Sequence, residues 1–178
     1  VGTAIHAYSG IGGGCFATFS NCDLDGFYGM TMSGGDISFV GGFQSSGSPT
    51  AQKLVQTGGR VSYSGVQFLV VANFPTGTPW MSVVAGTCNI AGGQIKRDDF
   101  DVCMFNVGGS GRLTISSTSI VHGANVVFAQ PFIYGQTISR VIALGNTLSD
   151  LGVGSAVFFQ NVGDGLHNVS ENILIGHT

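Results

Sequence analysis

The sequence predicts an all-β protein, a single-stranded right-handed parallel β-helix (a β-solenoid) of about seven coils. Three observations lead to this fold class. The 178 residues include 30 glycines, well above the usual share of about 7%. Only 8% of the residues are charged, against about 25% in ordinary soluble domains. Seven segments repeat one pattern of apolar and small residues, which is typical of stacked coils.

The repeat is defined by an apolar anchor with a second apolar position two residues earlier. The anchors are Phe19, Phe39, Tyr63, Ile90, Ile115, Leu144 and Val169. The positions two residues earlier are Ala17, Ile37, Val61, Cys88, Leu113, Ile142 and His167. Alternate residues of a strand face the same side, so both positions are expected to point into the solenoid. Two residues after the anchors stand Asn21, Gly41, Gly65, Gly92, Ser117, Asn146 and Glu171. The glycines and asparagines among them suit corners that need positive φ.

A short apolar run precedes each anchor from the second onward, and most runs are followed by a glycine turn. The runs lie at 30–32, 54–55, 83–84, 104–105, 126–128 and 157–159. Anchors recur every 20 to 29 residues, which is too short for propeller blades of about 40 residues. An antiparallel β-sandwich is the main alternative, since it also has many short strands separated by turns.

Composition excludes several classes of protein. Thirteen Phe and four Tyr argue against disorder, and no apolar run approaches the roughly 20 residues of a membrane helix. Six scattered Lys and Arg residues form no basic patch, which argues against nucleic-acid binding. The four cysteines lack metal-type spacing, and free thiols are favoured over disulfides. We expect no cofactor and no metal.

The chain is expected to be one domain over 1–178, with a lead-in over 1–14 and coils over 15–174. It begins with Val1 rather than Met, so we expect a piece of a longer protein.

The coils at 142–147 and 168–173 resemble those of the pectate-lyase-like right-handed β-helix superfamily. Low charge and abundant Gly, Ser and Phe make the chain most similar to the β-helix of a bacteriophage tailspike or tail fibre. The resemblance implies a homotrimer on a phage tail that binds bacterial surface polysaccharide and in many cases cleaves it. Asn21 and Asn146 share a register in this alignment whereas Asn172 is offset by one, so no continuous asparagine ladder is expected.

Loops of variable length follow the anchors and should stack along one edge of the solenoid. They cover 45–51, 73–80, 96–101, 122–125 and 149–154. The most polar of them supplies candidate catalytic acids, because glycoside hydrolysis needs two nearby carboxylates. These candidates are Asp98, Asp99, Asp101 and, two coils on, Asp150. A solvated turn with local ion pairs is the alternative.

Three residues at the same edge are candidates for glycan binding. Trp80, the single tryptophan, would offer a stacking surface for a sugar ring if its indole is exposed. Packing of Trp80 against its own prolines or at a trimer contact is the alternative. Lys96 and Arg97 supply charged donors beside it. His122 and His167 are expected to be structural.

Three functions follow as hypotheses. The first is a receptor-binding segment of a viral tailspike or fibre that contacts bacterial surface glycan. The second is a polysaccharide depolymerase that uses the acids named above. The third is a secreted or cell-surface bacterial adhesin or passenger fragment.

Overall fold

The computed structural model describes residues 4–7, 15–27, 29–46, 52–70, 78–97, 101–122, 130–136, 138–150 and 157–175. These residues form β-strands joined by short turns and contain no helix, hence none that is long and apolar enough to cross a membrane. The strands are β1 (Ala4–Ala7), β2 (Phe16–Ser20), β3 (Asp23–Phe27), β4 (Gly29–Met32), β5 (Asp36–Val40), β6 (Phe43–Ser46), β7 (Leu54–Ser64), β8 (Gln67–Val70), β9 (Met81–Ala91), β10 (Gln94–Arg97), β11 (Phe105–Val107), β12 (Arg112–Ser116), β13 (Ser119–His122), β14 (Ile133–Gln136), β15 (Arg140–Leu144), β16 (Thr147–Asp150), β17 (Phe159–Val162), β18 (Leu166–Ser170) and β19 (Ile173–Ile175).

The strands form three parallel ladders. Ladder A runs β1-β4-β7-β9-β11-β14-β17, and ladder C runs β19-β16-β13-β10-β8-β6-β3. Ladder B runs β2-β5-β7-β9-β12-β15-β18. The 11-residue strands β7 and β9 pass through ladders A and B and join them into one sheet. Strand β1, within the expected lead-in, pairs with β4.

This architecture is a parallel β-solenoid. The alternative of an antiparallel sandwich is wrong, because every pairing between described strands is parallel. The right-handedness and the number of complete coils stay predictions, because most of the segments that connect ladder C to ladder A lie outside the described residues.

Residues of the repeat share columns as the sequence predicts. Ile37 pairs with Val61, and Cys88 lies between Val61 and Leu113 in ladder B. All four side chains are at most 2% exposed. The interior of the solenoid is therefore built from one repeated inward position, and its neighbours above and below supply the burial that a single coil lacks.

The sixth anchor is misplaced by one residue in the sequence alignment. Ala143, not Leu144, pairs with Ile115 and with Val169, and Val141 takes the inward place assigned to Ile142. Four consecutive apolar residues occupy this strand, so alternation of polarity does not fix which of them face inward. Gly145, at φ 61°, takes the corner position instead of Asn146.

The strand before this anchor also differs from the prediction. Ladder A takes β14 at this level, and the run at 126–128 lies outside the described residues. Gly135 lies inside β14. A Cβ there would lie 3.2 Å from the ring of Phe159, so glycine leaves room for the next coil.

Aromatic anchors stack directly on one another at the first coils. Phe19 and Phe39 have ring centroids 4.9 Å apart, and Phe39 and Tyr63 are 5.0 Å apart. Their interplanar angles are 13° and 10°. The spacing matches the separation of adjacent strands, about 4.8 Å, because equivalent side chains repeat once per coil.

The corner between ladders B and C begins with a residue in the left-handed conformation in every coil described. Its first residue has positive φ at Asn21, Gly41, Gly65, Gly92, Ser117, Gly145 and Glu171. The left-handed conformation turns the chain within two residues, so that ladder C begins in register with the coil below.

The second corner residue forms an asparagine pair that the sequence alignment missed. Asn146 and Asn172 occupy equivalent positions, because Thr147 pairs with Ile173. Asn146 Nδ2 donates to Asn172 Oδ1 at 2.9 Å, and Asn172 Nδ2 donates to the carbonyl oxygen of Ala143 at 2.9 Å. Asn146 Oδ1 in turn accepts from the backbone N–H of Thr118 at 3.0 Å. The expected offset of Asn172 is wrong, and these side chains link three consecutive corners.

Two corner glycines should respond differently to alanine. Gly65 and Gly93 have φ of 65° and 77°, but a Cβ on Gly65 meets open space, whereas one on Gly93 would lie against the carbonyl oxygen of Val66. We expect Gly65→Ala to lower the free energy of unfolding by about 1–2 kcal/mol, the cost of the left-handed conformation. Gly93→Ala should cost at least about 3 kcal/mol, since backbone must move. Urea denaturation measures both, and equal losses would contradict the described corner.

Candidate functional site

The ends of ladder C bring together the residues that flank the predicted functional loops. Arg97 pairs with His122, and His122 pairs with Asp150, on consecutive strands. The residues that border these loops therefore lie beside one another, in agreement with the prediction that the loops stack along one edge of the solenoid. Asp98 and Asp99 lie outside the described residues. The catalytic roles of the four acids stay predictions.

Arg97 points into the solenoid and not toward solvent. Its side chain is fully buried, as is that of His122 beside it. The Arg97 Nη1 donates to the carbonyl oxygen of Val102 at 2.5 Å, and the guanidinium carbon lies 5.9 Å from the centroid of the Phe132 ring. Side chains alternate between inward and outward along β10, so Arg97 faces inward like Ile95, whereas Lys96 between them is exposed. Arg97 therefore connects the end of ladder C to the segment that enters ladder A. Of the two charged candidates for glycan binding, Lys96 and Arg97, only Lys96 is accessible to a glycan.

The indole of Trp80 is also buried, so the expectation of an exposed stacking platform is wrong. Trp80 is 0% exposed and packs edge-on against Phe68 with ring centroids 5.4 Å apart. It immediately precedes β9, where its backbone N–H donates to the carbonyl oxygen of Cys103 at 2.8 Å. Trp80 is therefore a core residue that packs against Phe68.

Asp101 is half-buried and holds two segments together. Its Oδ1 accepts from the backbone N–H of Gln130 at 3.0 Å, while Gln130 Nε2 donates to the Asp101 carbonyl oxygen at 3.0 Å. Asp150 lies at the end of β16, two strands from Arg97 along ladder C. Asp101 therefore has a clear structural role, whatever chemistry its carboxylate supports.

A groove of about 270 Å³ lies on the outer face of ladder A, beside the loop edge. Asn106, Tyr134 and Gln160 line it from consecutive strands, where they pair in register. Gln130 and Gln136 add two further carboxamides. The groove reaches from the segment before β9 to β17, three strand spacings or about 14 Å.

Two features of the backbone shape this groove. Pro79, Cys103 and Pro131 form the wall nearest the loops. On the opposite side Gly108 leaves room for the carboxamide of Gln136, since a Cβ on Gly108 would lie 2.8 Å from Gln136 Oε1. A small residue in one coil thus accommodates a polar side chain of the next.

The groove is uncharged and contains an unused hydrogen-bond acceptor. No charged side chain lines it within the described residues. Burial raises the pKa of the Cys103 thiol to about 11, so its sulfur is protonated at neutral pH and is no nucleophile. Asn106 Oδ1 is buried and accepts no hydrogen bond from any described residue. A buried acceptor without a partner is costly, and rotation of the Asn106 carboxamide toward the groove would let a ligand hydroxyl satisfy it.

The groove residues lie on strands, whereas the sequence predicted a site in the loops. Asn106, Tyr134 and Gln160 are outward positions of short strands, and each is separated from the others by more than 25 residues. The sequence does contain one signal for an outward polar residue, because Asn106 stands between the inward residues Phe105 and Val107. Only the register shows that the polar residues form one row.

Comparisons of the chain with protein families, with curated proteins and with solved structures gave no match. Function must therefore be inferred from the groove and the surfaces themselves.

Lys53 is a buried cation outside the groove. Its side chain is 1% exposed at the start of β7, where its backbone N–H donates to the carbonyl oxygen of Trp80 at 2.7 Å. Burial lowers the Lys53 pKa to about 8, because the charged ammonium loses solvation. Below pH 8 the folded protein carries this cost in full. The cost disappears as pH rises to the unfolded pKa of 10.5.

Lys53→Met should stabilise the protein at neutral pH. The lowered pKa corresponds to about 3 kcal/mol, so the variant should gain up to that amount at pH 7. The gain should shrink between pH 8 and 10.5 as Lys53 of the natural chain loses its proton. Ionisation of buried Cys88, whose pKa burial raises to about 12, acts in the opposite direction but equally in both proteins. Denaturation at several pH values gives the difference, and a gain that persists unchanged at pH 10.5 would contradict this assignment.

Proposed function

We propose that this chain is a glycan-binding β-solenoid whose ligand lies in the groove formed by Asn106, Gln130, Tyr134, Gln136 and Gln160. The observation that carries the proposal is the neutral, amide-rich lining with its unpartnered acceptor at Asn106 Oδ1. Carboxamides present a donor and an acceptor side by side, which suits the hydroxyl pairs of a sugar. A tyrosine adds an apolar ring with a polar tip at low entropic cost.

The groove suits an extended polymer that binds through its hydroxyl groups. Its polar residues recur at each strand, so successive units of a chain would meet similar donors and acceptors. An uncharged lining gives no electrostatic attraction to nucleic acid, and binding must rest on hydrogen bonds and ring contacts. Polysaccharide is the polymer class that offers both.

The proposal extends to the parent assembly. Low charge and the solenoid fold support a right-handed β-helix of about seven coils within a phage tailspike or fibre. Such a segment would act as a homotrimer on the virion and contact bacterial surface polysaccharide. A secreted bacterial adhesin would use the same groove. Binding is proposed ahead of cleavage, because hydrolysis of a glycosidic bond generally uses two carboxylates at the sugar and the described lining supplies none.

Substitutions in the groove should weaken glycan binding without unfolding the chain. We expect Tyr134→Ala and Asn106→Leu each to lower affinity about tenfold, the equivalent of roughly 1.4 kcal/mol from a lost ring contact or hydrogen bond. Gln67→Ala, an exposed carboxamide of ladder C, is the matched control and should bind normally. Binding of the whole chain to an array of bacterial polysaccharides provides the measurement. Equal affinity of all variants for every bound glycan, or no bound glycan at all, would refute the proposal, and release of reducing ends would indicate a depolymerase.

A further inference from the structure

A second row of outward residues begins the strands of ladder B. Asp36 pairs with Arg60, Arg60 with Thr87, Thr87 with Arg112, and Arg112 with Arg140. Three of the six Lys and Arg residues of the chain therefore stand in one row. Neighbours in the row are one strand spacing apart, about 4.8 Å between backbones.

The two ends of this row differ in how their charge is balanced. Arg60 Nε lies 3.7 Å from Asp36 Oδ1, an opposite-charge pair across adjacent strands. Arg112 and Arg140 are instead like charges directly opposite each other, an arrangement that weakens a sheet. Both are exposed, and neither makes an ion pair with another described residue. The sequence thus places an uncompensated double positive charge on a chain that is poor in charge.

Two cavities open at this arginine pair. One of about 360 Å³ is lined by both arginines together with Ser110, Ser139 and Asp164. The other, of about 240 Å³, is lined by both arginines with Thr87 and Thr114. The guanidinium groups therefore border space in which an anion fits, and the larger cavity is lined also by the apolar side chains of Ile138 and Leu166.

We propose that Arg112 and Arg140 form a binding site for a carboxylate or sulfate group carried by an acidic polysaccharide. Each guanidinium presents a planar fork of N–H donors that matches the two oxygens of such a group. An anion between the arginines also removes their mutual repulsion, so binding relieves a cost built into the sheet.

Asp164 tunes the site. It borders the larger cavity but lies beyond ion-pair distance of both arginines. Its negative charge opposes a second anionic group, so the site favours ligands with one separated charge per sugar over dense polyanions. Asp164→Asn should increase the affinity for acidic polymers with one charge per sugar and for dense polyanions.

The arginine site adjoins the groove through one turn. The carbonyl oxygen of Gln136, whose side chain lines the groove, accepts from the Ser139 backbone N–H at 3.2 Å. Ser139 lines the arginine cavity. A polysaccharide in the groove would thus reach the arginines around this turn. The assignment of the anion to the glycan in the groove rests on the proposed function. The anion site itself does not depend on that function.

Binding of polygalacturonate and dextran sulfate, with uncharged dextran for comparison, tests the inference. We expect Arg112→Gln and Arg140→Gln each to weaken binding of the acidic polymers about tenfold, and the double variant to lose the salt dependence of binding between 50 and 200 mM NaCl. Arg60→Gln is the matched control from the same row and should change affinity less than twofold. Inorganic sulfate should raise the melting temperature of the natural chain more than chloride at equal ionic strength, and the double variant should lack this difference.

The outcomes separate the two proposals. Weaker acidic-polymer binding in the arginine variants supports the anion site even if Tyr134→Ala binds normally and the groove proposal fails. Acidic polymers that bind the natural chain and the double variant equally overturn the anion site, whatever Tyr134→Ala does. Stabilisation by inorganic sulfate without binding of either acidic polymer overturns the assignment to a polysaccharide.

Discussion

Parallel hydrogen bonding between equivalent strands of successive coils is the constraint on which this protein depends. Each described strand between the two ends of a ladder pairs with the coil above and the coil below, so successive coils must agree in register along all three ladders. Register then makes equivalent side chains neighbours. The stack of Phe19, Phe39 and Tyr63 and the hydrogen-bonded pair of Asn146 and Asn172 are direct consequences.

The same constraint organises the outer surface. A residue that faces outward in one coil lies beside its equivalent in the next, so the surface consists of rows rather than isolated side chains. One row, with Asn106, Tyr134 and Gln160, is neutral and borders a groove. Another, with Arg112 and Arg140, concentrates positive charge. Residues far apart in the chain acquire a shared chemistry because one strand spacing separates them.

The interior tolerates polar residues where the coil changes direction. Arg97 and His122 are buried at the loop end of ladder C, and Arg97 donates to the backbone of the segment that enters the next coil. Lys53 is buried at the corresponding start of ladder A. Irregular backbone leaves carbonyl groups outside the ladders, and a buried cation can donate to them. Burial of the Lys53 ammonium lowers stability, whereas Arg97 holds a connection in place through its hydrogen bond to Val102.

The sequence by itself determined the solenoid class, the parallel stacking and the inward column of Ile37, Val61 and Leu113, because glycine corners and alternation of apolar residues recur once per coil. It did not determine the register at Ala143, where both faces are apolar. Nor did it determine the burial of Arg97, which follows strand parity, or that of Trp80, which packs against Phe68 just before β9. Only the tertiary structure decided which outward residues share a row. The sequence does not show these rows directly, because connections of different length change the sequence spacing between equivalent residues while the spacing between strands stays constant.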